Sequence, residues 1–172
     1  QGIDIERPNH DTVVLSGLKT VVFDPFKVDE LPKADLVLIS HDHFDHLSTD
    51  DLDKAVDGGR TVILAPLAAK EPLTQVRAKH IDFMKPGEER MADGISVRTV
   101  PAYNINKFKA PGQPFHPREA SYVGFIVSLA GIKFYHTGDS DFIDEMKALG
   151  PIDVLFVPVS GTYVMTVDEA VE

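Results

Sequence analysis

Short runs rich in β-branched residues recur along the chain: TVVLS (12–16), TVVFD (20–24), DLVLIS (35–40), TVILAP (61–66), ISVRTVPA (95–102), YVGFIVSL (122–129), IKFYH (132–136) and IDVLFVPV (152–159). Apolar stretches of this length bounded by turn formers predict strands. The first two are separated only by GLK, and SLAGIKFYH makes a similarly tight join through Gly131, so both pairs predict hairpins. Ser48, with Asp51 three residues on, predicts a capped helix start; TDDLDKAV follows and ends at Gly58 and Gly59. A second helix is predicted in SDFIDEMKALG, where Phe142, Ile143, Met146 and Leu149 share one face and Gly150-Pro151 stops the run. Front hairpins giving way to strand and helix alternation predict a layered α/β (α+β) domain, sheet inside and helices outside.

Two stretches stand outside this pattern. Residues 103–120, YNINKFKAPGQPFHPREA, have neither a helical nor an alternating period, and a loop of that length at a strand end is where ligand sites gather in α/β sheets. Near the end, TVDEAVE has Thr166 and Glu169 at capping-box spacing, which predicts a helix of which little follows. The expectation is therefore one domain over 1–172 whose core continues beyond Glu172.

Composition narrows the classes of function. With 172 residues and 43% apolar content the chain can bury one core. Its 27 acidic against 17 basic residues argue against a nucleic-acid partner, which needs a broad basic surface. No segment approaches a membrane span and no secretory leader is evident, so a cytoplasmic location is expected, with a small molecule as partner and homo-oligomerisation left open. There is no cysteine, so any metal must sit on nitrogen and oxygen.

That restriction matters because LVLIS runs straight into HDHFDH, residues 41–46. In extended chain, side chains two apart point the same way, so His41 and His43 can offer two imidazoles to one ion. Asp45 and His46 lie where the chain turns toward the helix and can reach a second. Imidazole and carboxylate without sulfur suit zinc, with manganese or iron as alternatives. Capping and solvation explain a single loop histidine; they do not explain three histidines and an aspartate within six residues.

His41, His43, Asp45 and His46 match the H-x-H-x-D-H signature, and with VVFDPF, YHTGDS and GPIDVLFVPVSGTYVMTVDEA the chain resembles the metallo-β-lactamase superfamily. Within it, these stretches are similar to predicted zinc-dependent hydrolases of the ascorbate-6-phosphate lactonase kind. The resemblance implies an αββα sandwich, here without its C-terminal end, with one or two metals at a sheet edge. It implies that Asp139 bridges the metals, against the simpler reading of an N-cap for the helix at Phe142. It implies that Asp24 supports the ligand loop, against a plain Asp-Pro turn. The family's third histidine falls near PAYN, where Asn104 is a poor ligand, so His116 is the expected substitute. The family's last histidine would lie beyond this chain, leaving the second ion Asp45, His46 and Asp139. His136 is expected either to orient a ligand or to pack at a strand end, while His10 and His80 have no evident partner.

These residues predict metal-assisted hydrolysis by a metal-bound hydroxide, with Asp45 aiming the nucleophile. Lys107, Lys109 and Arg118 in the long loop are read either as a solvated polar loop or as cations for a small anionic ester, lactone or phosphoester substrate, and Tyr103 and Tyr163 either as donors to an oxyanion or as packing residues. Two alternatives are a non-catalytic or single-metal binding domain and, less well supported by the acidic balance, a nuclease.

Overall fold

The computed structural model describes residues 2–172, which form two compact units. The first runs through Met84 and takes in Met91–Gly94. Its sheet follows chain order: β1 (Asp4–Glu6), β2 (Val13–Ser16), β3 (Thr20–Phe23), β4 (Leu36–Leu38), β5 (Val62–Ala65) and β6 (His80–Phe83). The first three strands are antiparallel and β3 to β6 are parallel. Helices α1 (Thr49–Ala55) and α2 (Lys70–Leu73) lie in the β4–β5 and β5–β6 connections.

Continuous apolar runs are what parallel strands buried on both faces require. Accordingly Val37, Ile39 and Ile63 are fully buried, and they share a core with Leu52 and Ala55 of α1 and Leu73 of α2. Helix α1 starts where expected, with the Ser48 side chain accepting from the Asp51 N–H. Strands β3 and β4 end at Phe23 and Leu38, just before Asp24 and Ser40-His41. In open α/β sheets the crevice beyond the carboxyl ends of strands is where ligands bind.

The second unit comprises Lys85–Arg90 and Ile95–Glu172. Its five-stranded sheet has the order β13 (Val154–Phe156), β12 (Ile132–His136), β11 (Val123–Leu129), β8 (Ile95–Pro101), β7 (Glu89–Ala92). The hairpin expected at Gly131 is present: Ala130 at φ 50° and Gly131 at φ 81° form a two-residue turn between paired Leu129 and Ile132. Two left-handed residues in succession match the right-handed twist of the strands they join. Val100, Ile126 and Tyr135 form the core of one face, with Met146, Leu149 and Ile152 packed against them.

Two expectations need correction. The helix expected from Ser140 is only the single turn α3 (Asp144–Lys147), with Ile143 at its start and no side-chain cap. Residues before it are tied elsewhere: the Asp141 carboxylate accepts from the Ile105 and Asn106 N–H groups at 2.6 and 2.9 Å. The 103–120 stretch is more ordered than its sequence suggests, with a small hairpin of β9 (Phe108–Ala110) and β10 (Gln113–Pro114) and a 3₁₀ turn over Arg118–Ala120. The last helix, α4 (Val167–Ala170), carries both halves of the expected capping box. Among the described residues no helix is long and apolar enough to cross a membrane.

Candidate metal centre

In the first unit the ligand loop is organised by Asp24, which is 1% exposed. Its carboxylate accepts from the Ser40 N–H at 2.7 Å, the Ser40 hydroxyl at 2.5 Å and His46 Nδ1 at 2.9 Å. Because the Ser40 hydroxyl gives its only proton to Asp24, its oxygen is left to accept from His41 Nδ1, 2.8 Å away. Both His41 and His46 therefore carry their proton on Nδ1 and present the Nε2 lone pair. A carboxylate, or a hydroxyl bound to one, fixing the far nitrogen is how proteins orient histidine ligands.

The ligand atoms then converge. His41 Nε2 and His43 Nδ1 stand 3.1 Å apart, close to the separation of about 3.4 Å that two nitrogens on one tetrahedral zinc require. The His41 and His46 rings lie 4.0 Å apart between centroids. After His43 the chain turns tightly, the His46 and Leu47 N–H groups both donating to the His43 carbonyl. That turn carries His46 back toward Asp24. Asp45, on the same turn, holds its carboxylate 3.4 Å from His10 Nε2.

His10 thus has a partner, contrary to expectation. It also packs edge-on against Phe26 and His46, at 5.6 and 5.3 Å between centroids. His80 is an exposed residue of β6, as expected of a surface histidine.

In the second unit His116 is 2% exposed and its Nε2 lies 3.2 Å from an Asp139 carboxylate oxygen. Asn104 is not a failed ligand. Its side-chain oxygen accepts from the His116 N–H at 2.7 Å and lies 3.1 Å from His116 Nδ1. Its amide nitrogen donates to the Tyr163 carbonyl at 2.9 Å and toward Asp141 at 3.3 Å. The amide therefore leaves Nε2 of His116 facing Asp139. Asp139 does not cap α3, which begins five residues later at Asp144. His136 is buried, its Nδ1 accepting from the Gly138 N–H at 3.2 Å.

The residues expected to face substrate fare differently. Lys107 is buried and ion-paired with Glu169 at 2.8 Å, with Asp141 at 3.6 Å. Its charge is engaged in holding the loop against α4. Arg118 pairs with Glu145 at 2.7 Å and lies over the Tyr103 ring. The Tyr103 hydroxyl donates to the same Glu145, and burial followed by that carboxylate pushes its pKa up. Tyr163 is 53% exposed, with its ring edge-on to Phe115. Lys109 is exposed on β9.

The sequence profile of the beta-lactamase superfamily domain matches residues 9–172. The chain belongs to that superfamily. A superfamily relative, the UPF0173 metal-dependent hydrolase of Thermoplasma acidophilum, is 30% identical over 176 residues, which span 95% of this chain and 73% of the relative. That of Staphylococcus aureus strain bovine RF122 is 30% identical over 173 residues, or 92% of this chain and 74% of its own length. Among solved structures, a proposed metal-dependent hydrolase from Parabacteroides distasonis superimposes with a TM-score of 0.84 at 29% identity, covering 98% of this chain and 74% of that one. Igni18, a metallo hydrolase of Ignicoccus hospitalis, shares the fold at a TM-score of 0.72 and 20% identity, covering 98% and 75%. The mixed sheets and few helices are those of the metallo-β-lactamase fold, and the chain is a member of a family of metal-dependent hydrolases.

Proposed function

We propose that the chain is a zinc-dependent hydrolase of a small ester, lactone or phosphoester. The ligands would be those the family resemblance implies: His41, His43 and His116 for one ion, Asp45, His46 and Asp139 for the other. The observation that carries the reading is the Asp24–Ser40–His41 relay, with its branch to His46. It spends a buried carboxylate and a buried hydroxyl on holding two imidazoles with Nε2 outward, an arrangement with no use in a merely packed loop. The donor set is neutral imidazole and carboxylate, which fits zinc, manganese or iron.

A divalent ion held there supplies Lewis acidity and makes a bound water acidic near neutral pH. The chain's own residues do the rest. Asp24 and Ser40 keep protons on the far nitrogens of His41 and His46, so the Nε2 atoms are left as lone-pair donors for the ion. Asp45, partly exposed on the turn, is placed to accept a hydrogen bond from the attacking water and aim it. The water oxygen bonds to the acyl carbon or phosphorus, the C–O or P–O bond of the ester, lactone or phosphoester breaks, and the proton that the attacking water gives up ends on the leaving oxygen. With Lys107 and Arg118 paired internally, preference for an anionic substrate rests on Lys109 and on the ion itself.

Elemental analysis of the purified protein, alongside hydrolysis of a generic ester, a lactone and a phosphodiester, tests the reading. The expected result is bound divalent metal, turnover of at least one substrate, and loss of both in His41→Ala. A protein that takes up no metal and whose His41→Ala variant behaves identically would refute it.

A further inference from the structure

We propose that His10 and Asp11, together with His46, form a divalent-cation site on the first unit, with Asp45 supplying a second carboxylate. The inference rests on the reading above in one respect, that His46 is a metal ligand. It adds two residues that the superfamily signature does not contain.

The geometry is local to the first unit. One ligand atom from each of His10, Asp11 and His46 lies within 4.8 Å of the others. His46 Nε2 is 3.7 Å and His10 Nε2 3.9 Å from the Asp11 carboxylate, and His10 Nε2 is 3.4 Å from that of Asp45. Ligands of one tetrahedral zinc stand about 3.4 Å apart, so a small contraction closes the set. The protonation is already suitable: His46 gives its Nδ1 proton to Asp24 and directs Nε2 at Asp11. His10 is held by its backbone, at φ 48°, in a turn closed by the Thr12 N–H donating to the Asn9 carbonyl at 2.9 Å. Two carboxylates and two neutral imidazoles carry a formal charge that a divalent ion neutralises. Asp11 is buried, and in a low-dielectric setting that neutralisation is worth most.

The site would draw all its protein ligands from the first unit. Titration of the full chain with Co²⁺, read by its visible absorption and by calorimetry, tests this. His10→Asn suits the test because asparagine tolerates a positive φ while withdrawing the imidazole; Asp11→Asn removes the charge with little change in shape. The expected result is about two ions per wild-type chain and about one per variant chain, with the visible spectrum of the remaining ion unchanged and the metal-free melting temperature of His10→Asn near that of wild type. Two ions retained at unchanged affinity in both variants would overturn the inference and leave the proposed function standing. So would a wild-type chain that binds one ion only and loses it in His41→Ala. No binding by the wild type would overturn both. Should Asp11→Asn fail to fold, His10→Asn decides alone.

Discussion

Asp24 sits at φ 40°, a left-handed conformation that costs energy in any residue with a side chain. The strain is sustained by what surrounds it: its N–H donates to the Leu38 carbonyl at 3.0 Å, and its own carbonyl accepts from the Thr12 hydroxyl at 2.9 Å. Its carboxylate is thereby pinned beneath the ligand loop. Asp24→Asn keeps the size but replaces one acceptor oxygen with an amide NH2, which cannot accept from Ser40 or from His46. The expected outcome is metal affinity lower by about 10–100-fold and stability lower by about 1–3 kcal/mol. Metal titration and chemical denaturation measure the two separately. An unchanged affinity would mean that the histidines do not need the relay.

At the scale of elements, the second unit depends on one close approach. A methyl group on Gly124 of β11 would stand 2.6 Å from the Thr137 carbonyl oxygen and 2.7 Å from that of His136. Both are backbone atoms that cannot swing away, and they lead directly into Gly138 and Asp139. Gly124→Ala is therefore expected to cost about 1–3 kcal/mol, and thermal melting would register it as a lower midpoint. Strands such as β4, β5 and β11 were legible in the sequence because burial on both faces demands unbroken apolar runs. β1, reading Asp-Ile-Glu, and β7, reading Glu-Arg-Met-Ala, were not, since an exposed edge strand has no apolar signature. The ligand loop could be recognised from its spacing alone. His10 could not, because the pairing of β2 with β3 and of β3 with β4, not sequence proximity, brings it to Asp45. The part Asn104 plays was hidden for a related reason: an amide's value as an acceptor shows only once the chain brings His116 back beside it. The helix at 140–149 had the right period, but Asp141 bonding to the 105–106 backbone outcompeted its first turn.

Over the whole molecule, acid stability depends on two carboxylates outside the proposed ligand set, Asp51 and Glu169. Burial raises the pKa of Asp51, but hydrogen bonds from Lys54, Ser48 and the Lys27 and Val28 N–H groups outweigh it and hold the group at about 2. Lys107, the Thr166 N–H and Asn106 hold Glu169 at about 2. A carboxyl depressed on folding stabilises fully above its ordinary pKa, here 3.8 and 4.5, and the contribution fades as pH falls toward 2. Each is worth about 1–2 kcal/mol at neutral pH after allowing for solvent screening. The Asp51→Asn, Glu169→Gln double variant should be less stable at pH 7 yet lose less of its melting temperature between pH 5 and pH 2 than wild type. Parallel slopes would contradict these assignments.

The outermost strand of the second sheet has a consequence for handling the protein. Among the described residues β13 pairs only with β12, and its sequence, Val-Leu-Phe, bears no charge, with Leu155 48% exposed. Such a margin invites another chain to add itself by backbone hydrogen bonding. What opposes this is a formal charge of −10, whose repulsion reaches only about 10 Å at 0.1 M salt and about 3 Å at 1 M. Light scattering should therefore rise with sodium chloride at fixed protein concentration, and Leu155→Lys should abolish the rise. Colloidal behaviour that ignores salt would mean that this margin is blunted by something other than charge.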